Sequence, residues 1–402
     1  MSPPGAWIRS NNLPESDERL HALDVLRGLA LFGMILVHFH QKTRSEASGL
    51  EDLIGWCVWV LVEQKAWGTF AFLFGAGFAI LLRRLERRGA PIVTTYARRL
   101  AVLALFGIIA DVGFGFHILF GYACWGLALL LVRHWSSRAL LLAAAVSASA
   151  RPIAAEIAAV HAWWTSAASP PPLPLVSLSR AVDAAARQES YLALVTARWA
   201  LFTGSFHLSW REILPDVNLA LFILGLLAVR HGILDAPRRH VRVIAGWMLF
   251  GAAAWACSWL VLPHLPAIPI PGARSPLEYG LGLIQDQWLC FTYVGAIVLL
   301  LAFRPAWTAR LAMFGLAGRM ALTNYMVQAA VLDALSSGYG ANLKLRPYVY
   351  PLAAVLLFGA QAIVSREWLA RYRFGPLEWL WRAATYARVP PLRRVRVEVQ
   401  PT

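Results

Sequence analysis

An all-α bundle of about ten transmembrane helices follows from three properties of this sequence. Of its 402 residues, 58% are hydrophobic and only 15% charged, and the mean hydropathy is +0.55, a composition outside the range of soluble domains. Apolar runs long enough to cross a bilayer recur along the chain, at roughly 23–41, 66–84, 93–113, 116–133, 138–158, 215–231, 241–263, 282–303, 311–335 and 348–366. The 18 tryptophans suit a protein whose indole rings sit at the membrane interface.

The segment 1–20, MSPPGAWIRSNNLPESDERL, lacks a short apolar core followed by small residues, so the first span is expected to be retained as a membrane helix. Residues 21–386 then form a single transmembrane domain, and 387–402 a basic tail carrying Arg388, Arg393, Arg394 and Arg396. Arginines flank the connections at 83–99, 133–138, 230–242 and 304–310 and follow residue 366. Basic connections stay in the cytoplasm, which places both termini on the cytoplasmic side of the cytoplasmic (inner) membrane. The segment Tyr191–Trp210 would move the Arg230–Arg242 connection outside if it crossed. It is therefore expected to be interfacial or re-entrant, and its Arg198 and His207 suit an amphipathic piece. The outer side then collects 42–65, the Gly113–Gly115 turn, 159–214 and 264–281. Within 159–214 the run SPPPLPLV is expected to be extended and non-helical.

Thirty-seven basic residues against 22 acidic ones give a net charge of +15. Their position beside apolar spans assigns them to topology and to the lipid surface rather than to nucleic acid. Cys57, Cys124, Cys257 and Cys290 all lie in apolar runs without CxxC spacing and read as small hydrophobes. There is no zinc pattern, Walker motif, GxSxG elbow or EF-hand loop, so nucleotide-driven pumping and serine hydrolysis lack support. No metal is expected.

The chemistry concentrates in HALDVLRGLALFGMILVHFHQKT, His21 to Thr43. Arg27 and His38 are eleven residues apart, about three helical turns, so they share one face at an axial separation of roughly 16 Å. Asp24 falls on the same face. Ionisable residues inside a span are costly and mark a functional site, although Asp24 and Arg27 would also pair at i, i+3 simply to anchor a helix end. His117, after the Gly113–Phe116 turn, and Asp111, at the end of the third span, fall on the His38 side, where each alone would serve as a helix cap. Asn324 and Gln328, at i, i+4 in GRMALTNYMVQ, either glue helices together or line a polar cavity. Gly75 and Gly77 are expected to allow close helix packing, and Gln285, Asp286 and Gln287 to be solvated at a helix end.

The Arg-x10-His arrangement of RGLALFGMILVH resembles the first helix of the integral membrane acyltransferases, which include bacterial polysaccharide O-acyltransferases and the lysosomal heparan-glucosaminide N-acetyltransferase. Over the whole chain the likeness is to the YeiB-type membrane family of unknown function. It is carried by LDVLRGLALFGMILV (Leu23 to Val37), TFAFLFGAGFA (Thr69 to Ala79), Arg98–Arg99, GRMALTNYMVQ (Gly318 to Gln328) and GPLEWLWRAATY (Gly375 to Tyr386). The chain departs from that family in having His38 where Asn is usual, which moves it toward the acyltransferases. It also has Ala110 and His117 where His and Asp are usual. The resemblance implies acyl-CoA as donor, met from the cytoplasm by Arg27, Arg98 and Arg99, with Asp24 orienting Arg27. His38, with His117, would serve as base on a hydroxyl or amine of a glycan, lipid or small metabolite. Asp111, His207, Asn324 and Gln328 would line the acceptor's cavity. The lipid bilayer and the acceptor are the expected partners, nucleic acid is not one, and homo-oligomerisation stays open. A small-molecule transporter or a non-catalytic membrane protein is the alternative. A transporter would be favoured by inverted repeats, of which the sequence shows none.

Overall fold

A computed structural model describes residues 17–43, 49–164, 174–208, 215–261, 264 and 276–394. The described residues are predominantly helical, and an isolated backbone bridge joins Tyr372 to Arg393. In chain order the helices are α1 (Asp17–Thr43), α2 (Leu50–Val58), α3 (Gln64–Arg87), α4 (Ile92–Ile108), α5 (Ile118–Val132), α6 (Ser137–Trp164), α7 (Pro174–Ala185), α8 (Tyr191–Leu208) and α9 (Val217–Arg230). There follow α10 (Val241–Val261), α11 (Pro276–Phe303), α12 (Ala306–Arg310), α13 (Ala312–Arg319), α14 (Ala321–Ser336), α15 (Tyr350–Arg371) and α16 (Pro376–Tyr386). π-helical turns at Trp59–Glu63 and Ile109–Gly113 join α2 to α3 and end α4.

Among the described residues five helical stretches are long and apolar enough to cross a membrane, His21–Lys42, Glu51–Arg87, Ile92–Gly113, Val241–Val261 and Pro347–Arg371, and three shorter apolar helices accompany them. Leu131, Leu192, Leu249, Leu352 and Leu356 face outward. An apolar exterior on helices whose backbone groups are internally satisfied is what a bilayer requires, and the chain is an integral membrane protein.

Several sequence expectations change. The 311–335 run is two helices, α13 and α14, meeting at Met320 (φ −108, ψ 34). The 42–65 connection is largely helical, and with α3 forms the 37-residue stretch Glu51–Arg87. The run SPPPLPLV does not stay extended to its end: α7 begins at Pro174, because proline at the first helical position lacks only an N–H that would have no intrahelical partner. Gln287 is buried rather than solvated, with its amide 3.3 Å from Gln64 Oε1. The side chains of Gln285 and Asp286, most of the 264–281 loop, residues 1–16 and the tail beyond Arg394 lie outside the described residues.

Two close helix crossings organise the core. A Cβ at Gly28 would meet the Phe314 carbonyl and one at Gly318 the Asp24 carbonyl, so α1 and α13 touch backbone to backbone; Gly75 and Gly225 do the same for α3 and α9. Gly77 has open space beside it. Gly75→Val is expected to force α3 from α9 and cost about 1–3 kcal/mol or more, read as a lowered thermal midpoint in detergent.

The arginine-rich connections meet at one end of the bundle. Arg83 makes a forked pair with Asp235 at 2.8 and 3.4 Å. Arg230 donates to the carbonyls of Trp135 and Arg133, Arg238 to that of Ala302, and Trp381 to that of Arg99. These bonds tie the 83–99, 133–138, 230–242 and 304–310 regions and α16 together at what is here called the Arg27 end. At the opposite, His38 end, Arg198 joins α8 to α14 and to the Gly113 turn.

Candidate functional site

Asp24 and Arg27 pair at 2.6 Å one turn apart on α1. Arg27 opens into a cavity of about 250 Å³ that also receives Arg99 from α4, Arg319 from α13 and Arg382 from α16. Each guanidinium comes from a different helix, so the cationic mouth exists only in the assembled bundle. Arg99 stacks on Trp381, 3.7 Å from the ring centroid, and the Trp381 indole donates to the Arg99 carbonyl at 2.8 Å. Arg382 lies over Phe374 at 4.6 Å. Apolar side chains, among them Met34, Phe70, Leu73, Phe74, Leu103 and Leu119, line the same cavity, as does Tyr325. Gly77 lines the same space, which accounts for the open volume beside it.

Glu378 holds this mouth in shape. Its carboxylate accepts the backbone N–H groups of Leu322 and Thr323 at 2.7 and 3.0 Å and the Thr323 hydroxyl at 2.6 Å. It thereby caps the first turn of α14 just after the break at Met320. Burial pushes its carboxyl up from the ordinary range, and the Thr323 and Leu322 bonds pull it back. Glu378→Ala orphans two backbone donors. The expected cost is about 0.5–2 kcal/mol of stability, with weaker anion retention at the mouth, read by thermal unfolding and ligand titration of the same preparation.

His38 lies three turns along α1 from Arg27. It is buried, 4% exposed, and its Nδ1 has no hydrogen-bond partner among the described residues. Its ring meets Phe116 edge-on, centroids 4.3 Å apart, and Phe116 stands 6.3 Å from the cavity-lining Tyr325. His38 is thus separated from the cavity by one aromatic ring. His117 and Asp111 approach it on the far side. His117 is exposed and faces Trp67 at 6.4 Å, while Asp111 sits on the π-helical turn, within electrostatic reach of His117, Arg198 and Lys42.

The remaining predicted residues are distributed unevenly. Arg98 is exposed and points away from the cavity that Arg99 lines, since adjacent residues on a helix face different directions. Asn324 and Gln328 are buried in an interhelical network. Asn324 donates to the Ala317 carbonyl and to Ser365 at 3.0 Å each, Gln328 to Gln361 at 2.8 Å, and Gln361 back to the Asn324 carbonyl at 3.0 Å. They bind α13, α14 and α15 to one another and do not line the cavity, which decides between the two alternatives left by the sequence. His207 lies on α8, and its side chain is outside the described residues. Sequence reasoning missed Arg319, Arg382, Glu378 and Trp381 as one group. The signal was present in the motifs GRMALTNYMVQ and GPLEWLWRAATY, which the fold brings together with Arg27 and Arg99.

Comparison with known proteins links the chain to membrane families. Residues 19–177 match the catalytic domain of heparan-alpha-glucosaminide N-acetyltransferase, and residues 228–388 the family described as protein of unknown function (DUF418). The chain is 28% identical over 417 residues to uncharacterized protein YxaH of Bacillus subtilis, covering 94% of this chain and 97% of that protein. It is 27% identical over 438 residues to uncharacterized protein YeiB of Escherichia coli, covering 93% and 98%. No solved structure matches the chain. The resemblance to the YeiB-type family, within the wider transmembrane acyltransferases, therefore holds along both halves.

Proposed function

We propose that this protein is a membrane acyltransferase. It takes an acetyl-type acyl group from acyl-CoA at the Arg27 end, which faces the cytoplasm, and transfers it to a hydroxyl or amine of an acceptor arriving from the His38 end. The observation that carries this reading is the cavity itself: four arginines and a largely apolar wall line one space, and its lining Tyr325 packs on Phe116, which packs on His38. A donor with phosphates at one end and a thioester on a long arm at the other fits that combination of charge, apolar wall and base. The match of residues 19–177 to an N-acetyltransferase catalytic domain supports the same chemistry.

In the proposed step the acceptor oxygen or nitrogen attacks the thioester carbonyl. The new C–O or C–N bond forms, the C–S bond breaks, and the acceptor proton passes to His38 and then to the departing thiolate. Arg27, fixed by Asp24, and Arg99, fixed by Trp381, hold the donor's phosphates. Phe116 stands between the cavity and His38, so the step requires that ring to turn aside, after which proximity of donor, acceptor and base supplies much of the rate.

Purified protein in nanodiscs with radiolabelled acetyl-CoA and a panel of hydroxyl and amine acceptors tests the proposal. Transfer, or acceptor-free hydrolysis of acetyl-CoA, is expected; neither occurring in well-folded protein would sink it. Arg27→Ala with Arg99→Ala is expected to raise the donor KM by roughly tenfold or more, since each charge-assisted bond to phosphate contributes about 1.5–3 kcal/mol.

A further inference from the structure

A second cationic site lies at the His38 end, on the side of Phe116 away from the cavity. Lys42 is four residues beyond His38, hence on the same face of α1 and one turn further out. Its ammonium lies over the Phe116 ring, 5.3 Å from the centroid, and makes no hydrogen bond or ion pair among the described residues. Arg198 comes to the same place from α8. It is 5% exposed, and its terminal nitrogens are taken by Asp333 and by the Gly113 carbonyl. Its Nε, however, is buried with no partner.

Both cations converge on one small space beside Gly115. The residue has φ +73, and a Cβ built there would stand 2.9 Å from Lys42 Nζ and 3.2 Å from Arg198 Nε and Nη2. A side-chain atom at that point would already crowd both groups, so Lys42 Nζ and Arg198 Nε, two donors without acceptors among the described residues, meet against the bare backbone of Gly115. The carboxylates nearby do not fill this need. Asp333 is fully buried, and its oxygens already accept from Arg198, Ser337 and Tyr339. Asp111 and Asp183 are within electrostatic reach of Lys42 but neither forms an ion pair with it among the described residues. Two unpaired donors of this kind suit an oxyanion.

We propose that Lys42 and Arg198 together bind the anionic group of the acceptor, a carboxylate or phosphate. They thereby select acceptors bearing such a group about one helical turn, roughly 5–6 Å, from the hydroxyl or amine presented to His38. The assignment of the anion to an acceptor rests on the acyltransferase reading; the anion site itself does not. The oxyanion belongs either to a soluble molecule or to a lipid headgroup.

The chain has lysine only at 42, 65 and 344. Lys65 is 1% exposed and Lys344 is exposed, so the reaction of full-length protein with an amine-acylating reagent reads Lys42 against Lys344 as internal reference. Inorganic phosphate or acetate added to detergent-purified protein is the soluble arm. Nanodiscs of phosphatidic acid against phosphatidylcholine are the lipid arm. Slowing of Lys42 modification by about tenfold at ten times Kd, with Lys344 unchanged, is expected in one arm or the other, and in Arg198→Lys, which retains the charge facing Asp333 and lacks Nε, the protection is expected to fall. Phosphate is also expected to raise the thermal midpoint of the wild-type protein and not that of Lys42→Met, which decides the matter should Lys42 prove unreactive. Absence of both protection and thermal shift overturns the anion site. Protection without acyl transfer retains the site and removes the acceptor assignment; transfer without protection retains the acyltransferase reading and removes the site.

Discussion

In His38→Ala, acyl transfer is expected to fall by about 10²–10⁴-fold while donor binding stays close to that of the wild type. The magnitude is that of removing a positioned general base. The separation of rate from binding follows from the proposed binding mode, in which the donor's charges meet the cavity arginines while His38 packs against Phe116, outside the cavity lining. His38→Gln is the companion variant. It nearly preserves volume in a packed neighbourhood and so distinguishes a lost base from a lost contact. Equal thermal midpoints for His38→Gln and wild type, with transfer lost in both variants, is the expected pattern. Transfer persisting at wild-type rates in His38→Gln would remove His38 from the chemistry and leave the cavity needing another base, for which His117, exposed on the same side of Phe116, is the nearest candidate.

The common face of Asp24, Arg27 and His38 was legible because it depends only on the helical period. The pairing of Asp24 with Arg27 is local, three residues apart, and was legible for the same reason. The break at Met320 was not, since no proline or glycine pair marks it. What permits it is Glu378, which caps Leu322 and Thr323 from more than fifty residues away. The cationic mouth was half legible. Arg27 and Arg99 stood in recognisable motifs, but the choice of Arg99 over Arg98 is set by which side of α4 packs against α16, and Arg319 and Arg382 join only through tertiary contacts. Asn324 and Gln328 announced a polar stripe at i, i+4. Their partners Gln361 and Ser365 form a second i, i+4 stripe on α15, and only the packing of α14 on α15 shows that the two stripes bond to each other. Lys42 lay in plain view four residues from His38. It looked like the polar end of a span until Arg198 arrived from α8.

Arg198→Leu is expected to be the most destabilising single substitution considered, at about 3–5 kcal/mol, because it strands a fully buried carboxylate. Asp333 keeps only the hydroxyls of Ser337 and Tyr339 in the variant, and neither carries charge to balance it. The double variant Arg198→Leu with Asp333→Leu is expected to recover most of that loss, since replacing both members of a buried pair by apolar groups is often neutral or stabilising by about 1–4 kcal/mol. Denaturant or thermal unfolding in one detergent measures both. A loss under about 1 kcal/mol in the single variant, the range of exposed pairs, would mean that water reaches the pair. The comparison also separates two roles of Arg198. Stability depends on its pairing with Asp333, and the double variant restores it. Positioning of the Gly113–Phe116 turn depends on its bond to the Gly113 carbonyl, and capture of an oxyanion on its free Nε; the double variant restores neither. A stable double variant that still fails to protect Lys42 would therefore assign the arginine to the site as well as to the fold, and would explain why a charge this costly to bury is placed beside His38.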